Sequence, residues 1–270
     1  MTTAEAAVCA PSARPGALRA FRAMLARDLL VTGRELWAFL AMVVVQPIFM
    51  LFIFGKVLTE LGYASGTYAA VLFPGTVGLT TVLTALQTTI RPLQMEFSVT
   101  MEIEDRLLAP LPTWAVALQK TVMGVINGLV AAALMFPVGL LVLGHIPFRA
   151  SGVPLLIVIL VLASCVGSTL GLLLGTAVPF RYIYVLFTIA LTPLLFTGAA
   201  QYPWQSLAHL RWFQVVTAFN PITYVSEGLR AAMLTGGPHM ASWICVTVLS
   251  AALLALAVAG ARSFRRRTIG

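Results

Sequence analysis

Four of the nine acidic residues in this 270-residue chain, Glu96, Glu102, Glu104 and Asp105, fall in one short stretch between two long apolar runs. A turn between two apolar helices does not need that much charge. A segment that docks on a soluble partner does. Glu102 and Arg106 stand at i,i+4 with the acid first, the order that supports a short helix. Phe97, Met101, Leu108 and Leu111 fall on one side of such a helix, Glu104 interrupts that side, and Pro110 and Pro112 limit it. Two readings fit these residues: a docking helix, or a solvated loop whose acids offset nearby basic residues. Chemistry of other kinds lacks its residues. A phosphate-cradling P-loop needs Gly-Lys followed by Ser or Thr. The two lysines do not supply it, because Lys56 precedes Val57 and Lys120 follows Gln119. Cys9, Cys165 and Cys245 are far apart, as are His145, His209 and His239, so no metal or disulfide spacing arises. No Ser/His/Asp constellation is present, and no carboxylate or histidine lies in the middle of a clear apolar run, as a proton relay would need. The expectation is a chain that is not an enzyme and carries no cofactor or metal of its own.

The residues that position this segment belong to a membrane. The chain is 60% hydrophobic and 10% charged, with mean hydropathy +0.96, against about 25% charged residues in a soluble domain. Apolar runs near span length, without inside-outside alternation, select helices over a barrel. The fold expected is an all-α polytopic membrane protein. Its net charge of +8 is spread beside the apolar runs as topology signals are, so no nucleic-acid partner is expected.

In order, residues 1–15 are small and polar and read as disordered, with no signal peptide. Residues 16–35 read as an amphipathic helix, with Leu18, Phe21, Leu25 and Leu29 spaced along one side. A transmembrane domain, 36–262, follows. Its six spans are placed at 36–58, with Gln46-Pro47 inside; 68–90, rich in threonine; 114–143; 153–178, with Gly167, Gly171 and Gly175 at spacing four for close helix approach; 182–199; and 242–261. Residues 200–240 are too polar to span and too apolar for a plain loop. They read as short interfacial or re-entrant helices with aromatic anchors. Residues 263–270 form a basic tail. Four of the seventeen Lys and Arg (Lys56, Arg149, Arg211, Arg230) fall on one side of such a six-span chain and the rest on the other. The excess places both termini and the acidic segment in the cytoplasm, where soluble ATPases are, and favours docking.

The chain resembles the permease subunits of ABC-2 type exporters, the group that includes daunorubicin-resistance and nodulation-factor export permeases. Gln46-Pro47, Phe73-Pro74-Gly75, the run from Glu102 through Asp105-Arg106 to Pro112, and Phe219-Asn220-Pro221-Ile222-Thr223-Tyr224 followed by Glu227 and Arg230 carry the likeness along nearly the whole length. The resemblance implies that residues 16–35 are a connecting helix. It implies that the segment with Glu96, Met101, Glu102, Glu104, Asp105 and Arg106 is the coupling helix, and that the helices before the last span cap the pathway. Asn220, Pro221, Tyr224, Glu227 and Arg230 would then fix an external gate. It implies a working unit of two permeases, as homodimer or heterodimer, and two ATPase subunits that bind the ATP and magnesium, within the lipids of the cell (inner) membrane. It also implies a pathway between permeases lined by Gln46, Phe49, Thr80, Thr84 and Thr192, for a lipid-like, amphipathic drug-like or glycan substrate. Each threonine has packing or backbone bonding as its plainer role. A scaffold or immunity factor of the same fold, and a secondary transporter, are the alternatives.

Overall fold

The computed structural model describes residues 15–34, 36–63, 65, 67–98, 113–182, 185, 187–236 and 239–269. Among the described residues there is no strand. Helix α1 is Pro15–Arg34. Helix α2, Leu36–Met50, runs on through a π-helical stretch, Leu51–Val57, and a last turn, Leu58–Glu60. Then come α3 (Tyr68–Ser98), α4 (Thr113–Leu143), α5 (Val153–Ala177), α6 (Thr192–Thr197), α7 (Arg211–Ala218), α8 (Pro221–Met233) and α9 (Ser242–Ile269). Five stretches are long and apolar enough to cross a membrane: Trp37–Glu60, Tyr68–Phe97, Trp114–Leu143, Ala150–Ala177 and Ser242–Arg267. The protein is a multi-pass, all-helical membrane protein.

Helix α3 is the axis of the bundle. It packs against α4, α5 and α8 and is buried along most of its length. Small residues make this possible. A Cβ on Gly167 would come within 2.5 Å of the Val82 carbonyl oxygen, and one on Gly171 within 2.7 Å of that of Leu86. The glycine ladder read from the sequence is therefore the face that α5 lays on α3. With the backbones this close, short polar side chains reach across: Thr89 and Ser168 hydroxyls are 3.0 Å apart, and Ser168 donates to the Thr121 carbonyl at 2.7 Å. Thr76, Thr81, Thr88 and Thr89 return their hydroxyls to carbonyls three or four residues back, the ordinary way a helix in lipid satisfies a threonine.

The bundle has two ends. At the base, Gln94 of α3 donates to the Gly175 and Val178 carbonyls, Lys120 of α4 meets Asp28 of α1, and Arg267 of α9 donates to the same turn after α5. At the far end, Arg230 of α8 donates to Val71 near the start of α3 and to Ala199 and Ala200. From Val71 to Gln94 is roughly 34 Å of helix rise, about the thickness of a hydrocarbon core.

The expected span at 182–199 is described in part, and its described residues up to Thr197 are helical. Phe180–Tyr182 is a 3-10 turn, and the π-helical Phe187–Leu191 passes directly into the α-helical Thr192–Thr197. Pro193 has no N–H to donate, and it stands where the π-helical stretch gives way to α-helix. The segment still joins the two ends, with Val178 at the base and Ala199 at the far end.

Residues 200–240 do form short helices: a 3-10 turn at Trp204–His209, then α7 and α8. Asn220 caps α8 by accepting from the Ile222 N–H at 2.9 Å, with Pro221 in the first turn. The far end closes on backbone contacts that only glycine permits, since a Cβ on Gly75 would overlap the Ala200 carbonyl. Gly75→Ala is expected to cost more than about 3 kcal/mol, because backbone on both sides leaves nothing flexible to move. Thermal denaturation in detergent checks this, and an unchanged melting temperature would refute it.

Candidate functional site

Three groups of polar side chains stand out against this apolar frame. The first lies at the base. Lys120 is 4% exposed, with its Nζ 2.5 Å from Glu96 Oε1 and 3.3 Å from Asp28 Oδ2. Gln119 Nε2 donates to the same Asp28 oxygen at 2.7 Å. Three elements meet on one ammonium: the amphipathic helix α1, the last turns of α3 and the first turns of α4. Glu96 thus belongs to α3 and turns inward, because the helix continues past Pro92 to Ser98. Met101, Glu102, Glu104, Asp105 and Arg106 lie outside the described residues. What is described is what holds that segment from either side. Of the apolar side read on α1, Phe21 and Leu25 are half-buried and Leu29 is exposed. The helix packs on α4 and α2.

The second group lies in the seam between α2 and α3. Gln46, Thr80 and Thr84 face one another across a cleft of about 30 Å³, which Thr76, Gln87 and Met50 also line. Thr80 and Thr84 are buried, and among the described residues neither hydroxyl makes a hydrogen bond back to its own helix, unlike their neighbours. Phe49 is not with them; it is 61% exposed on the outer face. Thr192 is exposed at the start of α6, away from the seam. The structure therefore gathers three of these five residues and separates two. Beneath the cleft, Arg91 reaches Met42 Sδ at 3.1 Å and Gln87 Oε1 at 3.3 Å.

The third group lies at the far end and was the least visible in the sequence. Glu227 and Arg230 are paired at 2.9 Å and both are 0% exposed. Glu227 Oε1 also accepts from the Trp204 N–H at 2.8 Å, and Oε2 from the Met240 N–H at 2.9 Å. Arg230 spends its other donors on the carbonyls of Val71, Ala199 and Ala200. One ion pair thus ties together the start of α3, the turn before Trp204 and the approach to α9. Ala199 adopts φ +47°, a left-handed conformation unusual for alanine, and its carbonyl is held by Arg230. Burial pushes the Arg230 guanidinium downward from its ordinary pKa, and Glu227 opposes this. Asn220 Nδ2 donates to the Leu194 carbonyl and the Thr197 hydroxyl, both at 2.9 Å, and the Tyr224 hydroxyl to the Ala218 carbonyl at 2.9 Å. With Pro221 opening α8, these residues join α6, α7 and α8 into one unit. The FNPITY run was the signal for this unit. A Glu and an Arg three apart gave no sign of their burial.

The family model for the ABC-2 type transporter matches residues 19–234, from α1 through the end of α8. The chain belongs to that family. Among its relatives is the inner membrane transport permease YadH of Escherichia coli K12, 32% identical over 140 residues, which is 49% of this chain and 50% of that protein. The YadH permease of Shigella flexneri aligns at the same identity and coverage. The chain thus spans about half the length of the curated relatives it matches. The matched residues include Asp28, Glu96, Lys120, Gln46, Thr80, Thr84, Glu227 and Arg230, and end before Met240. Among the described residues no group of His, Cys, Asp and Glu could hold a metal ion.

Proposed function

We propose that this chain is the membrane permease subunit of an ATP-driven exporter in the inner membrane. The unit has two permease copies and two copies of a separate ATPase subunit, one docked on the acidic segment between Glu96 and Ala109 of each permease. The observation that carries this reading is the Lys120 cluster. The ends of α3 and α4, from which the acidic segment hangs, are fixed to each other and to α1 by one ammonium bound to two carboxylates. A displacement of the segment by a closing ATPase dimer would move a stiff unit instead of being lost in a loose turn. Glu102, Glu104, Asp105 and Arg106, with Met101 on the apolar side, supply the docking contacts. ATP and magnesium are held by the ATPase, with no cofactor in this chain.

The segment from Val178 to Ala199 is, in this reading, the sixth crossing. Both termini are cytoplasmic, and α7 and α8 are the external cap. The substrate is lipid-like or amphipathic. The seam of Gln46, Thr80 and Thr84 offers hydroxyls and one amide within apolar walls, the lining such a molecule needs. The Glu227–Arg230 pair holds the cap at the far end of that route.

Affinity purification from the native membrane, with mass spectrometry of what co-purifies, tests the assembly. A stoichiometric P-loop ATPase is expected. Glu104→Lys with Asp105→Lys is expected to abolish permease-stimulated ATP hydrolysis, since like or misplaced charges in a docked contact cost several kcal/mol. Normal assembly and transport in that double variant would remove the docking role. Absence of any ATPase under conditions that preserve the permease dimer would remove ATP-driven export itself.

A further inference from the structure

A cavity of about 520 Å³ opens at the base between α1, α2, α3 and α4. Its walls divide by chemistry. Phe39 and Met42 of α2, Val31 of α1 and Met123 of α4 are apolar. The charges are Arg27, Arg91 and Lys120 against Asp28 and Glu96. Lys120 engages both carboxylates. Arg91 has no carboxylate partner among the described residues. Its contacts are a thioether sulfur at 3.1 Å, a weak acceptor, and a neutral amide oxygen at 3.3 Å, and neither balances its charge. An exposed cation beside an apolar wall, with only neutral acceptors, has donors left for an anion. A guanidinium fork matches a phosphate or carboxylate in both geometry and charge.

We propose that this cavity binds the anionic headgroup of a membrane amphiphile, with a phosphate of the phospholipid kind on Arg91 and the attached chain over Phe39 and Met42. Arg91 is exposed at the cavity mouth, and the apolar wall beside it favours an anion that carries an acyl chain, since a free anion gains nothing from Phe39 and Met42. α1 lies along the base, so the ligand enters from the leaflet on that side. Met42 lines both this cavity and the cleft of Gln46, Thr80 and Thr84, so the Arg91–Met42 contact stands between the two. An anion that draws Arg91 away from Met42 would open one to the other. That last step, which makes the amphiphile a substrate, rests on the exporter reading; the binding does not.

The test uses the full chain in phosphatidylcholine nanodiscs, without ATP or partner. The probe is a phosphatidylglycerol with a photoactivatable diazirine in its acyl chain. Labelling is expected on the cavity residues Phe39, Met42 and Met123 above the level on Trp37, which faces outward. Arg91→Gln should lower cavity labelling about tenfold, the loss of one charge-assisted contact. Arg91→Lys should retain most of it. A phosphatidylcholine probe should label the wild type no better than phosphatidylglycerol labels Arg91→Gln. Equal labelling by the two lipids, or unchanged labelling in Arg91→Gln, would overturn the proposal, and displacement by inorganic phosphate would overturn the amphiphile in favour of a bare anion. If Arg91→Gln fails to fold, the comparison of the two lipids on the wild type decides alone. Lost binding with intact ATP-driven export would sink this proposal only. Intact binding with no ATPase partner would sink the exporter reading only.

Discussion

Arg230→Met is expected to destabilise the protein by roughly 3–5 kcal/mol, the cost of leaving one member of a buried ion pair without its partner. The geometry argues for the upper part of that range. Glu227 would keep its two backbone donors, from Trp204 and Met240, but would hold a full charge at 0% exposure with no cation. The carbonyls of Val71, Ala199 and Ala200 would lose a shared donor at the same time. Glu227→Gln should be milder, since an amide oxygen can still accept from Trp204 while Arg230 keeps its three carbonyls. The double variant Glu227→Met with Arg230→Met should be less damaged than Arg230→Met alone, because it removes the stranded charge together with the pair. Reversible denaturation in mixed micelles, carried through the full double-mutant cycle, measures this. A loss below about 1 kcal/mol for Arg230→Met would show that water reaches the site and that the pair is not what closes the far end.

The contrast between this pair and the spans shows what the sequence could and could not express. Runs such as Trp114–Leu143 announce themselves because lipid demands a long apolar helix and nothing else satisfies its backbone. The glycine ladder of α5 was legible for a related reason: small residues at spacing four have few uses in a membrane helix besides close packing. The π-helical turn before Pro193 was not, since hydropathy averages over the proline and reports only that the segment is apolar. Glu96 reads as part of the acidic segment because it follows Pro92 and precedes three more acids. Its inward turn depends on Lys120, 24 positions later, and no local pattern encodes that meeting. Glu227 and Arg230 at i,i+3 fit a solvated helix face equally well. Their burial is set by α3, α5 and α9 closing around α8, a tertiary fact. Of the seam, the sequence offered a family pattern of polar residues in two spans. Which of them meet depends on the rotation of α2, and that rotation puts Gln46 in the cleft and Phe49 on the outer face.

Lys120→Met should release α1 from the bundle while leaving the α3–α4–α5 core in place. The ammonium is 4% exposed and joins two carboxylates that otherwise repel each other across the joint between α1 and α3. Without it, Asp28 and Glu96 both stay partly desolvated, and the cheaper response is for α1 to swing outward and carry Asp28 to water. That movement relieves the repulsion between the two carboxylates at the joint. The expected signature is hydrogen exchange accelerated by about tenfold or more in residues 15–34, with protection in α3 and α5 unchanged. Lys120→Arg should keep the joint, since a guanidinium can still span two carboxylates. Adding Asp28→Asn and Glu96→Gln to Lys120→Met separates repulsion from lost attraction. If repulsion drives the release, the triple variant regains protection in α1; if Lys120 acted by attraction, α1 stays loose. Unchanged exchange in Lys120→Met would mean that packing of α1 on α4 suffices without the charge. The lever under the acidic segment would then have to be sought in the apolar contacts of Phe21 and Leu25. Under the exporter reading the same variant should bind its ATPase yet export at least about tenfold more slowly, because the force delivered at residues 99–112 would no longer reach α1.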